Sequence, residues 1–299
     1  MPLLVTLGRG VLTGVGKRPS PAAALPPVRL TRPDVTVDPD RLAAYARVCG
    51  HPAAGPLPLT YPHILGFPLT ARIMAARTFP LPLLGLVHTS IDIVAHHRLT
   101  AGDRPELAAY AAGLRPHPRG TEVVMIIEAR LDGKLAWTDR STYLARHAPR
   151  TGPVSEAGPV SASEPASEAE PVSASGPVSA NRSGPSPASG PLPRVAEWAL
   201  PADLGRRHAR VSGDYNPIHL YPLTARPLGF PRAIAHGMWT VARCAAESPA
   251  ATRISAVFHK PILLPATVGY GAAGDRFEVR SGDRLHVSGA VGGSGTVAR

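Results

Sequence analysis

A carboxylate and an imidazole, Asp214 and His219, sit close together in the run Val211-Ser212-Gly213-Asp214-Tyr215-Asn216-Pro217-Ile218-His219-Leu220-Tyr221. A neutral imidazole and a carboxylate can hold one water between them, draw a proton from it, and return that proton to a leaving hydroxide. Histidine suits this work because its pKa lies near neutrality. Pro217 restricts Asn216 to extended backbone, which turns the chain so that both side chains can face one cleft. Asn216 can hydrogen-bond the backbone there and hold the loop. Downstream, His236-Gly237-Met238 opens an apolar stretch that predicts a helix. A glycine at a helix start exposes its N–H along the positive end of the helix dipole, and such a group can stabilise the enolate oxygen of a thioester. Plainer explanations exist for each feature. An Asp and a His at this spacing, taken alone, are more often a helix cap and a surface histidine. Gly237 can simply allow close packing of helix on sheet, and His236 is expected to be structural.

These residues need elements to carry them. In the first half of the chain the pattern predicts a short helix over Asp38 to Gly50, with Pro39 at a favourable early position, and a second helix over Leu65 to Arg77. Strands are predicted at Leu84 to Ile93, Glu122 to Leu131 and Leu135 to Leu144. In the second half, Ala202 to Val211 predicts a short helix and Gly237 to Glu247 a longer one. Strands are predicted near Ile254 to Leu264, Ala266 to Tyr270, Phe277 to Val279 and Leu285 to Val291. Helices followed by sequential strands, without alternation, imply an α+β fold with an antiparallel sheet.

Residues 151–193 divide these halves. They are almost all Pro, Ala, Ser, Gly, Glu and Val, with Pro-Val-Ser recurring at Pro153, Pro159, Pro171 and Pro177. Such a segment buries too little apolar surface to offset its ordering entropy and is expected to be a flexible, disordered linker. The expected organisation is an extension over 1–27, a folded unit over 28–150, the linker over 151–193, and a second folded unit over 194–299. The two units look like copies of one repeat. Tyr45–Gly50 resembles His208–Gly213, and Gly85–Ile91 resembles Ala256–Ile262, in a register that gives the second half extra residues where Asp214 to His219 sit. The identity of Pro68–Arg72 with Pro222–Arg226 contradicts that register and reads as coincidence in a chain rich in Ala, Pro, Leu and Arg.

The 299 residues carry a formal charge of +11, and 44% are hydrophobic, as a globular protein requires. The basic residues are scattered and not interleaved with aromatics, so nucleic acid is not the expected partner. The charge can instead attract a phosphorylated substrate carrier. Lysine occurs only at Lys17, Lys134 and Lys260, which reflects coding bias. Cys49 and Cys244 lack metal-ligand spacing and are expected to be buried thiols of a reducing, cytoplasmic compartment. No signal peptide is read in Met1 to Gly16, and no uninterrupted apolar segment reaches the roughly 18 residues of a membrane span.

The string Gly213-Asp214-x-Asn216-Pro217-x-His219, followed by His236-Gly237-Met238, closely resembles the hydratase-2 motif of MaoC-like dehydratases. Tyr61–Pro68 and Phe79–His88 look like the non-catalytic first half of actinobacterial double hot-dog members, and Phe230–Trp239 looks like the matching second half. The resemblance implies two hot-dog domains, each a long helix wrapped by antiparallel sheet, forming a pseudo-dimer within one chain, with a homodimer as a further form. It implies (R)-specific hydration of a trans-2-enoyl thioester, or the reverse dehydration of a (3R)-hydroxyacyl thioester, in fatty-acid metabolism. The substrate would be an acyl-CoA or acyl-ACP (carrier-protein) thioester, with no metal and no cofactor. Asp214 and His219 become the catalytic pair, Asn216 their support and Gly237 the oxyanion group. Arg226 and Arg232 become candidates for the substrate's phosphates, and are as readily plain surface arginines. Two departures stand out. The family often has Tyr where His208 stands, and some members place a hydroxyl residue against the catalytic His near the position of Ala245. The competing readings are a hot-dog thioesterase and a non-catalytic subunit that widens a partner's tunnel.

Overall fold

The computed structural model describes residues 17–52, 55–83, 85–147 and 190–293. The expected disorder of the linker therefore falls outside the described residues, except for 190–193, as does the chain before residue 17. Ten strands form one antiparallel sheet. In chain order they are β1 (Arg29–Arg32), β2 (Leu86–Ala95), β3 (Glu106–His117), β4 (Gly120–Leu131), β5 (Lys134–Arg146), β6 (Arg194–Leu200), β7 (Arg253–Phe258), β8 (Ala266–Ala273), β9 (Arg276–Ser281) and β10 (Arg284–Gly292). Across the sheet they run β1-β3-β4-β5-β2-β7-β10-β9-β8-β6. The first five strands and the last five thus repeat one order. The halves meet where β2 pairs antiparallel with β7, Ser90 opposite Val257 and Val94 opposite Arg253. Arg253 also bridges that seam to Asp92 at 2.9 Å.

Helices α1 (Pro39–Cys49) and α2 (Tyr61–Met74) belong to the first half; α3 (Leu204–Ser212), the single-turn α4 (Pro222–Ala225) and α5 (Gly237–Ala246) belong to the second. Asp38 starts α1 by accepting from the amides of Asp40 and Arg41 at 2.9 and 3.1 Å, satisfying donors that have no partner in the first turn. Helix α2 begins at Tyr61, earlier than the predicted Leu65, and continues through Pro68. It packs on β3 and β4, while α1 packs on α3 and α5. That last contact joins the halves: the Trp239 indole of α5 donates to the Val48 carbonyl of α1 at 2.8 Å. Trp137, Tyr45, Tyr61, Phe79 and Phe277 are among the largest side chains fully buried in the core.

Three strands were not anticipated. β3 reads Glu-Leu-Ala-Ala-Tyr-Ala-Ala-Gly, an alanine-rich run with little intrinsic strand preference; its pairing with β1 and β4 decides its state. β1 is only four residues long, and β6 abuts the linker composition.

The repeat register also needs correction. The β4–β5 and β9–β10 hairpins close at Leu131–Lys134 and Ser281–Arg284. Counted from there, Thr142 corresponds to Gly292, so their β2 and β7 partners, Ser90 and Arg253, correspond too. These two are separated by the same interval as Gly50 and Gly213, the left-handed caps of α1 and α3. Gly85–Ile91 is therefore not the counterpart of Ala256–Ile262. The second half does gain residues between Gly213 and α5, around Asp214 to His219, but it loses them again between α5 and β7. Pro68–Arg72 lies in α2 and Pro222–Arg226 in α4 and the turn after it, so their identity has no structural meaning.

Candidate active site

Helix α3 delivers Asp214. Its cap, Gly213, adopts φ 82°, a left-handed conformation that a side chain would resist, and this turns the chain sharply out of the helix. The loop then stitches itself together. The Ser212 hydroxyl accepts from the Asp214 amide at 3.1 Å, Asp214 Oδ1 from the Asn216 amide at 3.1 Å, and Asn216 Oδ1 from the Ile218 amide at 3.3 Å. Asn216 thus caps the single 3-10 turn Pro217–His219 that presents His219. Against the floor of this turn lies Gly205 of α3, where an added Cβ would stand 1.9 Å from the His219 carbonyl oxygen. From the other half, Arg41 of α1 donates to the Val211 and Ser212 carbonyls at 2.7 and 3.1 Å, holding the end of α3 just before Asp214.

His219 donates from Nδ1 to the Ile234 carbonyl at 2.9 Å, because a carbonyl can only accept. In the neutral ring this leaves Nε2 as a lone-pair acceptor, without a protein partner among the described residues. Asp214, His219 and His236 each bring one ligand-type atom within 4.8 Å of the others, a separation that one water can bridge with two ordinary hydrogen bonds. These atoms do not form a convincing metal cage. The His219 and His236 rings stack at 3.6 Å between centroids, 24° from parallel, so their in-plane lone pairs run side by side rather than converging.

His236 donates from Nε2 to the Asp214 backbone carbonyl at 2.9 Å, and the same nitrogen lies 3.8 Å from Asp214 Oδ2. It therefore ties down the backbone of Asp214. His208 of α3 also lies against it, ring centroids 4.6 Å apart. Burial pushes His219 from 6.5 down to about 3, helped by His236 and opposed by Asp214 and the Ile234 carbonyl. Burial likewise lowers His236 to about 4 and holds His208 well below its usual range. All three rings are neutral at neutral pH. The Asp214 side chain keeps 28% exposure, so a carboxylate facing solvent stands beside a dry imidazole.

Both groups line a cavity of about 580 Å³ between the halves. Its wall includes Asp214, Asn216, His219, His236, Gly237, Thr240 and Phe258 from the second half, and Ile64, Phe67, Met74, Leu86 and Tyr143 from the first. Gly237 begins α5, so its amide has no intrahelical acceptor and points along the helix axis. Close packing also constrains this position, since a Cβ there would come within 2.8 Å of the Phe258 ring.

Arg226 and Arg232 do not line the cavity; Arg226 turns back toward the Pro231 carbonyl at 3.5 Å. The basic side chains at the wall are Lys260, after β7, and Arg146, at the end of β5. Nothing in their sequence context marked them. Ala245 is also remote from this cavity, lining instead a cavity of about 90 Å³ with His51 and Trp137. No hydroxyl is needed from that position to hold His219, whose Nδ1 is already fixed by Ile234. Gly205, Arg41 and the polar wall residues His63, His88 and Tyr143 were missed. The strand alternation Asp139-x-Ser141-x-Tyr143 was the signal that polar groups face inward there.

Known proteins resemble this chain in sequence and fold. A family profile described as a MaoC like domain matches residues 191–297. The 3-hydroxyacyl-thioester dehydratase X of Mycobacterium tuberculosis is 35% identical over 256 residues, covering 84% of this chain and 82% of that one. The crystal structure of HtdX from Mycobacterium tuberculosis superposes with a TM-score of 0.70 at 29% identity, over 88% of this chain and 99% of the other. A MaoC-like dehydratase from Phytophthora capsici shares the fold, with a TM-score of 0.64 at 15% identity over 91% and 97% of the two chains. With its ten-stranded double hot-dog and the Asp214–His219 loop, the chain belongs to the MaoC-like dehydratase family.

Proposed function

We propose that this protein is an (R)-specific enoyl-thioester hydratase and (3R)-hydroxyacyl-thioester dehydratase. The observation that carries the reading is the meeting of Asp214, His219 and the Gly237 amide on one cavity large enough for an acyl chain. In the hydration direction, Asp214 and His219 hold a water between them. His219 Nε2 takes one proton as the water oxygen bonds to C3 of the enoyl group. Charge gathers on the thioester oxygen, where the Gly237 amide and the α5 dipole receive it. The same proton then passes from His219 to C2, on the face that received the hydroxyl, so addition is syn. One water O–H bond and the C2–C3 π bond break, one C–O and one C–H bond form, and the enzyme ends as it began.

The first unit, 28–150, acts as a non-catalytic partner that completes the cavity, and the second, 194–299, carries the chemistry. Lys260 and Arg146 replace Arg226 and Arg232 as the groups suited to the phosphates of CoA or of a carrier protein. Two buried free cysteines suit a reducing cytoplasm, and no helix among the described residues is long and apolar enough to cross a membrane.

Hydration of crotonyl-CoA and longer enoyl-CoAs, followed by loss of enoyl absorbance without release of free CoA, tests the reaction. Asp214→Asn and His219→Gln should each lower turnover at least roughly a hundredfold. Unchanged turnover in both, or CoA release by the wild type, would reject the assignment.

A further inference from the structure

The first half presents more than an apolar wall to the cavity. Asp139, Ser141 and Tyr143 alternate along β5 and share one face of the sheet, and all three are buried. His63 reaches this stripe from α2. Its Nδ1 hydrogen-bonds Asp139 Oδ2, while the Ser141 hydroxyl donates to Asp139 Oδ1 at 2.7 Å. The carboxylate only accepts, so His63 donates from Nδ1, and in the neutral ring Nε2 remains an acceptor. Nε2 has no protein partner among the described residues, and His63 lines the cavity. His88 stacks on Tyr143, centroids 4.5 Å apart, with its own Nε2 buried and unpartnered. Across the seam, both ring nitrogens of His208 are also buried without a partner. Buried polar atoms are rarely left unpaired unless something else is to meet them.

We propose that this second polar cluster binds an oxygen substituent on the acyl chain, beyond the reacting carbons, so that thioesters of hydroxylated acyl chains are the preferred substrates. The inference rests on the thioester reading above and deepens it. A chain hydroxyl donates to His63 Nε2 and accepts from the Tyr143 phenol. Burial first, then Asp139 and Asp214, raise the pKa of that phenol while a hydrogen bond with Ser141 lowers it, and the phenol stays protonated. Ile64, Phe67 and Met74 pack the methylenes on either side. An unsubstituted chain displaces water from the cluster and leaves its groups unpaired, at roughly tenfold in affinity per group.

Calorimetric binding of saturated, non-reacting acyl-CoAs tests this, comparing plain chains with chains of equal length carrying one hydroxyl at successive positions. At least one hydroxylated chain should bind roughly tenfold more tightly than its plain counterpart. His63→Leu combined with Tyr143→Phe should abolish that preference. Tyr143→Phe alone removes only a hydroxyl and should reduce the preference even if loss of His63 disturbs folding around Asp139. His63→Gln, which keeps a hydrogen-bonding group, should retain part of it. Equal affinity for every pair in the wild type, or a preference that survives the double variant, overturns the proposal. Because binding needs no turnover, failure to hydrate crotonyl-CoA alongside an intact hydroxyl preference strikes the reaction assignment and supports this one.

Discussion

The two halves share one strand order, yet the ground beneath the start of the long helix differs between them. In the first half the Tyr45 and Thr60 hydroxyls hydrogen-bond at 2.8 Å, fully buried, and the chain passes from α1 to α2 by a short route. In the second half the corresponding place is taken by His208 and His236, ring against ring at 4.6 Å, with an added loop between α3 and α5 that carries Asp214 and His219. The first half closes its junction with this buried hydroxyl pair. The second opens the same junction into a cavity and fills its edge with neutral imidazoles. The halves are not independent for that reason. Arg41 of α1 grips the carbonyls that precede Asp214, so the half without the motif holds the motif in place.

The sharpest break of this comparison uses two glycines. Gly205→Ala drives a Cβ to 1.9 Å from the His219 carbonyl oxygen, a backbone atom that cannot step aside without moving the turn that presents His219. Turnover of the folded enzyme should fall on the order of a hundredfold, as for a displacement of about 1 Å at a reacting group. Gly66→Ala, in α2 of the first half, meets the Ile127 side chain at 2.5 Å instead. It should cost about 1–3 kcal/mol of stability by overpacking, read from denaturant titration, with turnover of the folded fraction retained. If both variants behave alike, the division between a chemical half and a supporting half is wrong.

Arg41→Ala sharpens the point from the supporting side. Loss of two charge-assisted contacts should let the end of α3 drift and lower kcat roughly tenfold with little change in KM. Arg41→Lys, which can satisfy one carbonyl, should recover part of kcat. A fall in stability with kcat intact would make Arg41 a mere tie between halves.

The mildest effect near neutrality is on acid stability. His219, His236, His88 and His51 are lowered by burial to about 3, 4, 3 and 4 from the ordinary 6.5. The unfolded chain therefore binds more protons than the folded one below that value. Stability should be full above about pH 6.5 and decline steadily as the pH drops toward 4, with little change between pH 7 and 8. Thermal melts across this range check the sign; a protein that grows more stable on acidification would show that these rings are not buried neutral.

Much of this was legible without coordinates. The α+β class, α1 with Pro39 in its first turn, α3 and α5 follow from local patterns, because turn residues and periodicity act within a few residues. The loop from Gly213 to His219 was legible for the same reason, its turn chemistry being written in consecutive residues. β3 was not, since alanine leaves its state to the neighbouring strands. The exclusion of Arg226 and Arg232 from the cavity, and the presence of Lys260 and Arg146, were also invisible, because no local rule says which surface arginine faces a cleft formed by distant segments.

The sequence by itself determined which residues can do acid–base work and the turn that spaces them, since both depend on side-chain chemistry and on backbone restriction by Gly213 and Pro217. Only the tertiary structure decided that His219 is buried and held through Nδ1, that Arg41 from the other half grips the chain just before Asp214, and that Tyr143 and His63 line the same cavity, with Asp139 and Ser141 bonded behind them. Burial and long-range contact set a group's protonation and its partners, and these arise only when strands far apart in the chain come to lie side by side.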